Sequence, residues 1–199
     1  MKRPWARGAI DGFRALDLRA HRILADVPLH DVWQVSLPGE ERLCTMTELR
    51  AVASTVAGTL SPIGPVAALF ALRRLLGGML QWDAPVPSRD AWSYGARLTE
   101  EDRERSLVPP GTLDGPFSVL YVHDTEAVSE IRNSTVHAFL VWAVRPVAGG
   151  HELIWATHVR PVSRWSGAYL TAIEPFRRWI VYPTLLARFH DIWMRQATK

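Results

Sequence analysis

The chain has 199 residues, 48% of them hydrophobic and 22% charged, with a net charge of +3. That composition excludes a disordered polymer and fits a single domain, 1–199, able to bury roughly 70% of its unfolded surface. The pI near 9.4 comes from scattered arginines rather than a basic block, so the charge pattern does not point to nucleic acid. Cys44 is the only cysteine, which excludes an intramolecular disulfide and fits a reducing cytoplasm. After the basic start, Asp11, Arg14, Asp17 and Arg19 interrupt any signal-peptide core.

Residues 9–27 predict a short N-terminal helical extension, 1–27, with Ile10, Phe13 and Leu16 on one side. Asp31–Leu37 alternates, with Trp33, Val35 and Leu37 on one face and Val32, Gln34 and Ser36 on the other. That period of two is a half-buried strand, ended by Pro38-Gly39. Thr45 and Glu48 have the spacing of a capping box and open a helix over 46–57. A second helix runs from Pro65 through Leu69, Leu72, Leu75, Leu76 and Met79. The apolar stretch Val52–Leu80 is split by Pro62, Gly64 and Pro65 and carries Arg73-Arg74. Each half is too short for a ~30 Å hydrocarbon core, so it reads as a buried helical hairpin rather than a membrane span.

From Asp83 to Pro116, five prolines and the charge run 100–105 mark a long loop. It is either a solvated connection with one short helix capped by Thr99, or a lid over a cavity. Phe117–His123, Val136–Arg145 and Glu152–Arg160 read as strands, separated by the turn residues Arg132-Asn133-Ser134 and Ala148-Gly149-Gly150. Trp165–Trp193 then reads as one long apolar helix containing Tyr169, Ile173, Phe176, Ile180 and Phe189. The order predicts an α+β layer in which an antiparallel sheet wraps around the final helix.

Five segments carry a family resemblance. They are Asp31-Val32-Trp33-Gln34-Val35, Leu72-Arg73, Thr157-His158-Val159, Gly167-Ala168-Tyr169-Leu170 and Ile173-Glu174-Pro175-Phe176-Arg177-Arg178. Over residues 30–193 the chain resembles the DUF2867 family, a family of uncharacterised function placed near the START-like helix-grip (SRPBCC) superfamily. The resemblance implies a helix-grip fold: a curved antiparallel sheet around a long C-terminal helix, enclosing an apolar cavity. It implies no particular ligand. Arg177 stands where family members often carry histidine, and an apolar residue near Phe139 stands where they carry an acidic one.

Strong chemical signatures are absent. There is no G-x-S-x-G elbow, Walker loop, H-E-x-x-H or dinucleotide fingerprint. None of the seven histidines pairs at i, i+4, so neither a metal nor another cofactor is expected. Asn133-Ser134-Thr135 reads as a turn and Cys44 as an inert, partly buried thiol.

The strand faces carry what remains. His137, Phe139, Val141 and Ala143 share one face of their strand; Val136, Ala138, Leu140, Trp142 and Val144 share the other. Such a strand is buried on both sides, or one side meets an apolar cavity. Leu153, Trp155, Thr157 and Val159 oppose Ile154, Ala156 and His158, while Phe117, Val119, Tyr121 and His123 share a face. Nine tryptophans exceed what core filling needs, and at least two are expected to line a cavity. His137 is either a general acid or base, or a neutral core histidine bonded to a backbone carbonyl. Glu130 and Arg132 share a face, as a solvent-side ion pair or as polar groups at the cavity mouth. Tyr169 falls where the long helix crosses the sheet.

The candidate catalytic residues are therefore His137, Tyr169 and Glu130. The candidate ligand-binding residues are Tyr121, His123, Phe139, Trp142, Trp155, Thr157, His158 and Phe176. Superfamily analogy implies a cofactor-independent cyclase or dehydratase acting on an apolar, polyketide-like metabolite, or a non-catalytic carrier of such a ligand. A third reading is a membrane-surface module using Arg73, Arg74, Arg177, Arg178, Arg188 and Arg195. The expected partner is an apolar small molecule, with no nucleic acid, no stable membrane insertion and room for a homodimer.

Overall fold

The structure, a computed structural model, describes residues 3–39, 44–59, 88, 91–133, 135–163 and 166–197, with Tyr169 and Ala197 described by backbone alone. The strands are β1 (Trp5–Arg7), β2 (Leu29–Pro38), β3 (Leu113–Asp114), β4 (Phe117–Val122), β5 (Glu126–Arg132), β6 (Val136–Val147) and β7 (Gly150–Pro161). They form one antiparallel sheet in the order β1-β2-β7-β6-β5-β4-β3. The helices are α1 (Ile10–Arg14), α2 (Arg19–Ile23), α3 (Met46–Thr59), α4 (Glu100–Glu104), α5 (Ser166–Phe176) and α6 (Tyr182–Ala197). A 3-10 turn spans Tyr94–Arg97, and a π-helical segment, Arg177–Val181, joins α5 to α6.

Both sides of the central strand β6 are packed. On one side, α3 contributes Met46, Leu49, Val52 and Val56, and α6 contributes Tyr182, Leu186, Phe189 and Trp193. Both sets repeat at three or four residues, so each forms a single apolar stripe laid on the sheet. That stripe meets Trp33, Val35, Trp142, Val144 and Leu153. On the other side, Phe13, Ile23, Leu24, Tyr94 and Leu98 cover Tyr121, Val128, Phe139, Val141 and Ile154.

Strands β2, β6 and β7 appear where expected, each extended slightly past its predicted range. Strand β4 stops at Val122, one residue short, and a bulge between Val119 and Tyr121 puts those two on opposite faces rather than on the shared face the alternation predicts. The capping box also forms: the Thr45 amide donates to Glu48 at 3.3 Å and the Glu48 amide to the Thr45 hydroxyl at 3.3 Å. Thr99 caps α4 through the same reciprocal pair with Asp102. The expected N-terminal helix divides into α1 and α2, because Leu18 is extended and the Arg19 amide donates to the Glu126 carboxylate at 3.0 and 3.1 Å. A tertiary acceptor replaces the helical one there. Strand β1 was not foreseen; three residues are too few to show a period. The predicted helix from Pro65 to Met79 and the hairpin it belongs to lie outside the described residues, as does much of the predicted loop before Ala91. Among the described residues, no helix is long and apolar enough to cross a membrane.

Candidate functional site

The C-terminal helix changes pitch over the sheet. Pro175 lies inside α5 and the next five residues, Arg177–Val181, are π-helical. Proline has no amide hydrogen to continue the α-helical ladder, and single π turns concentrate at functional sites. In an α-helix, residues five apart point about 140° away from each other. A π turn closes i to i+5 and brings them together. Arg177 and Tyr182 are such a pair, and the guanidinium donates to the phenol oxygen at 2.7 Å.

The same guanidinium donates to Asp31 Oδ2 at 2.7 Å, and the Tyr182 hydroxyl meets Thr157 Oγ1 at 3.0 Å. Asp31 is buried, and Arg7 reaches its other oxygen at 3.5 Å. Burial pushes the Tyr182 phenol above its ordinary range, while Arg177 pulls the other way. Burial also opposes the charge on Arg177, but Tyr182 and Asp31 outweigh it and hold the guanidinium more firmly protonated than usual. The result is a fixed cation between a carboxylate and a phenol. His30 and Glu174 extend the cluster, with His30 Nε2 at 3.1 Å from Glu174 and 3.9 Å from Asp31. Their ligand atoms and that of Asp31 lie within 4.8 Å of one another, close enough to hold a metal ion. Arg177 already supplies positive charge at Asp31, so this set is better matched to a guanidinium than to a divalent cation.

Beside the cluster, a row of tryptophans crosses three strands. Trp155 of β7 stands directly opposite Trp33 of β2 and Trp142 of β6, so all three share a face. Trp142 and Trp155 rings lie 5.0 Å apart, and Trp33 lies 5.1 Å from Tyr182. The indole Nε1 atoms of Trp33, Trp142 and Trp155 are buried with no hydrogen-bond partner among the described residues. Buried donors are normally paired, and leaving one unmade costs about 1–3 kcal/mol.

The two predicted acid–base residues of the sheet meet on the opposite face. His137 Nε2 lies 3.0 Å from Glu130 Oε2, which also accepts from the Tyr94 amide at 3.1 Å, while Ser93 Oγ donates to Oε1. Both are buried under the segment bearing Trp92 and Tyr94, whose rings stand edge-on to the imidazole at 5.1 and 5.2 Å. His137 therefore bonds a carboxylate rather than a backbone carbonyl, and Glu130 is not a solvent-side partner of Arg132. Phe139 stacks on His137 at 4.2 Å.

The other expected residues are dispersed. Tyr121 is fully buried and donates to Glu126 at 2.7 Å. His123 donates from Nε2 to the Asp102 carbonyl at 3.3 Å and lines a polar cleft of about 610 Å³ with Arg19, Arg22, Arg105 and Glu126. His158 lines a second cleft on that face. Thr157, Trp142 and Trp155 belong to the face under the C-terminal helix. Phe176 is exposed, and the Tyr169 side chain lies outside the described residues. The structure thus separates the predicted set between two faces and adds Asp31, Trp33, Arg177 and Tyr182. One signal for Asp31 was present: a carboxylate heading the alternation whose other members, Trp33, Val35 and Leu37, are all apolar.

No curated protein matches the chain. The family model described as a protein of unknown function (DUF2867) matches residues 23–184, a span holding Asp31, the three tryptophans, Thr157, Arg177 and Tyr182. The chain belongs to the DUF2867 family.

Proposed function

We propose that this chain is a small-molecule cavity protein acting on an elongated, apolar metabolite that carries carbonyl or hydroxyl oxygens. The site lies between the C-terminal helix and the sheet, in a helix-grip arrangement. The reaction is of the cyclase or dehydratase type and needs no cofactor. One observation carries the reading: three indole N–H groups, unpartnered among the described residues, in a row that ends at Tyr182, Arg177 and Asp31. Oxygen atoms of a bound ligand would accept those hydrogens, and the indole rings would cover its apolar body.

In this reading Tyr182 is the proton donor to a substrate carbonyl oxygen. Arg177 stabilises the phenolate left behind, Asp31 keeps Arg177 in place, and Thr157 orients the hydroxyl. A non-catalytic carrier is the alternative. It is favoured by the fact that the Tyr182 hydroxyl is already engaged by Arg177 and Thr157.

Native mass spectrometry of freshly purified protein, followed by solvent extraction, tests both. The expected result is a discrete adduct, and turnover of the extracted compound that falls at least about 100-fold in Tyr182→Phe with the adduct retained. Undiminished turnover in Tyr182→Phe removes its catalytic role, and an adduct that is never converted leaves the carrier. An apo mass, together with tryptophan fluorescence unchanged by titration with anthraquinone, defeats both.

A further inference from the structure

The face of the sheet remote from the C-terminal helix has a cleft of about 390 Å³ lined by Phe13, His21, Leu24, Val27, Leu29 and His158, among others. Small-molecule sites run from about 300 to 1,000 Å³, so the volume suits a compact ligand. His158 is buried, with its Nδ1 2.9 Å from the Val27 carbonyl oxygen. A carbonyl oxygen only accepts, so Nδ1 carries the hydrogen. The neutral ring then presents a lone pair at Nε2, and that atom is buried with no partner among the described residues. Protonation would not relieve it, because burial holds the His158 pKa below the ordinary imidazole value, with His21 and Arg14 acting in the same sense.

We infer that this cleft is a binding site for a small, largely apolar molecule bearing one hydroxyl group, an alcohol or a phenol, whose O–H donates to His158 Nε2. The lone pair selects a donor and turns away carboxylates and carbonyl oxygens, which offer only lone pairs of their own. Arg14 and Asp26 both line the cleft, and Asp26 is already paired with Arg97, so the charge left facing an ammonium group is the positive one of Arg14. The walls of Phe13, Leu24, Val27 and Leu29 take the apolar remainder. This site is independent of the tryptophan row, which lies on the other face.

The test is two-bond ¹H–¹⁵N spectroscopy of the histidines in the full ¹⁵N-labelled chain, with phenol and then anisole as probes. The expected result is an Nδ1–H tautomer at His158, a phenol-induced shift of its Nε2 resonance, and anisole binding about tenfold more weakly for want of the donor. His158→Phe, which keeps an aromatic ring, is expected to erase the difference between the two probes. An Nε2–H tautomer, equal binding of phenol and anisole, or no shift at His158 would overturn the inference. A response confined to the indole N–H resonances would do the same, since it would place phenol on the other face.

Discussion

Glu130 has no exposed surface, and its two oxygens accept from Ser93, the Tyr94 amide and His137. Its carboxyl therefore fastens the 91–97 segment to the sheet as well as engaging the histidine. Glu130→Ala would take the acceptor from the buried Tyr94 amide and His137 and from the half-buried Ser93 hydroxyl, and is expected to cost about 3 kcal/mol. A lowered urea midpoint with an unchanged slope would show this; an unchanged midpoint would mean that water replaces the carboxyl. The sequence made His137 and Glu130 conspicuous as polar residues beside apolar strands, but did not pair them. Their contact depends on the β5–β6 register, which sets Arg132 opposite His137 and Glu130 opposite Phe139. Likewise, Asp31 and Arg177 are 146 positions apart, so no local pattern could join them.

Among the elements, the β6–β7 hairpin turns through two adjacent glycines. Gly149 and Gly150 both have positive φ, 85° and 145°, but their surroundings differ. A Cβ on Gly149 meets nothing within 4 Å, whereas one on Gly150 would run into the Leu37 carbonyl oxygen of the neighbouring strand. Gly149→Ala should therefore lower the melting temperature modestly, through backbone strain of about 1–2 kcal/mol. Gly150→Ala should lower it further, because the β2–β7 ladder must shift. Calorimetry of the two variants checks the order, and equal losses would refute the close-approach argument. These turn residues were legible in the sequence, as were the Thr45 and Thr99 caps, because turns and caps are local chemistry. The π turn was not. Pro175 withholds one amide hydrogen from the helical ladder, but the sequence reads Trp165–Trp193 as one unbroken helix, and the change of phase depends on Arg177 reaching Asp31 and Tyr182.

At the scale of the whole molecule, two buried or paired carboxylates oppose each other in the dependence of stability on pH. Burial holds the Glu126 carboxyl above its usual value, although the Tyr121 hydroxyl favours the charged form. Its folded state binds the proton more tightly than the unfolded chain does. The stability it contributes is thus full below the unfolded value of about 4.3 and is lost as pH rises through the folded one. Asp26, paired with Arg97, is lowered to about 2, so its contribution is present above the ordinary carboxylate range and lost as pH falls toward that value. Chemical denaturation from about pH 4 to about pH 8 should show wild type losing stability relative to Glu126→Gln as pH rises. A constant difference between the two would show that Glu126 titrates alike in both states.

The family resemblance rested on short segments spread along the chain, and the family model matches residues 23–184. The sequence by itself determined strands β2, β4, β6 and β7, the caps, the long C-terminal helix and the mixed α+β class, because each follows from period, spacing or turn chemistry within a few residues. Tertiary structure decided which side of the sheet each group meets. A period of two is symmetric between faces, and when both faces of β6 are apolar nothing local distinguishes them. Only the packing of α3 and α6 on one side, and of the N-terminal helices on the other, separates the tryptophan row from the Glu130–His137 pair.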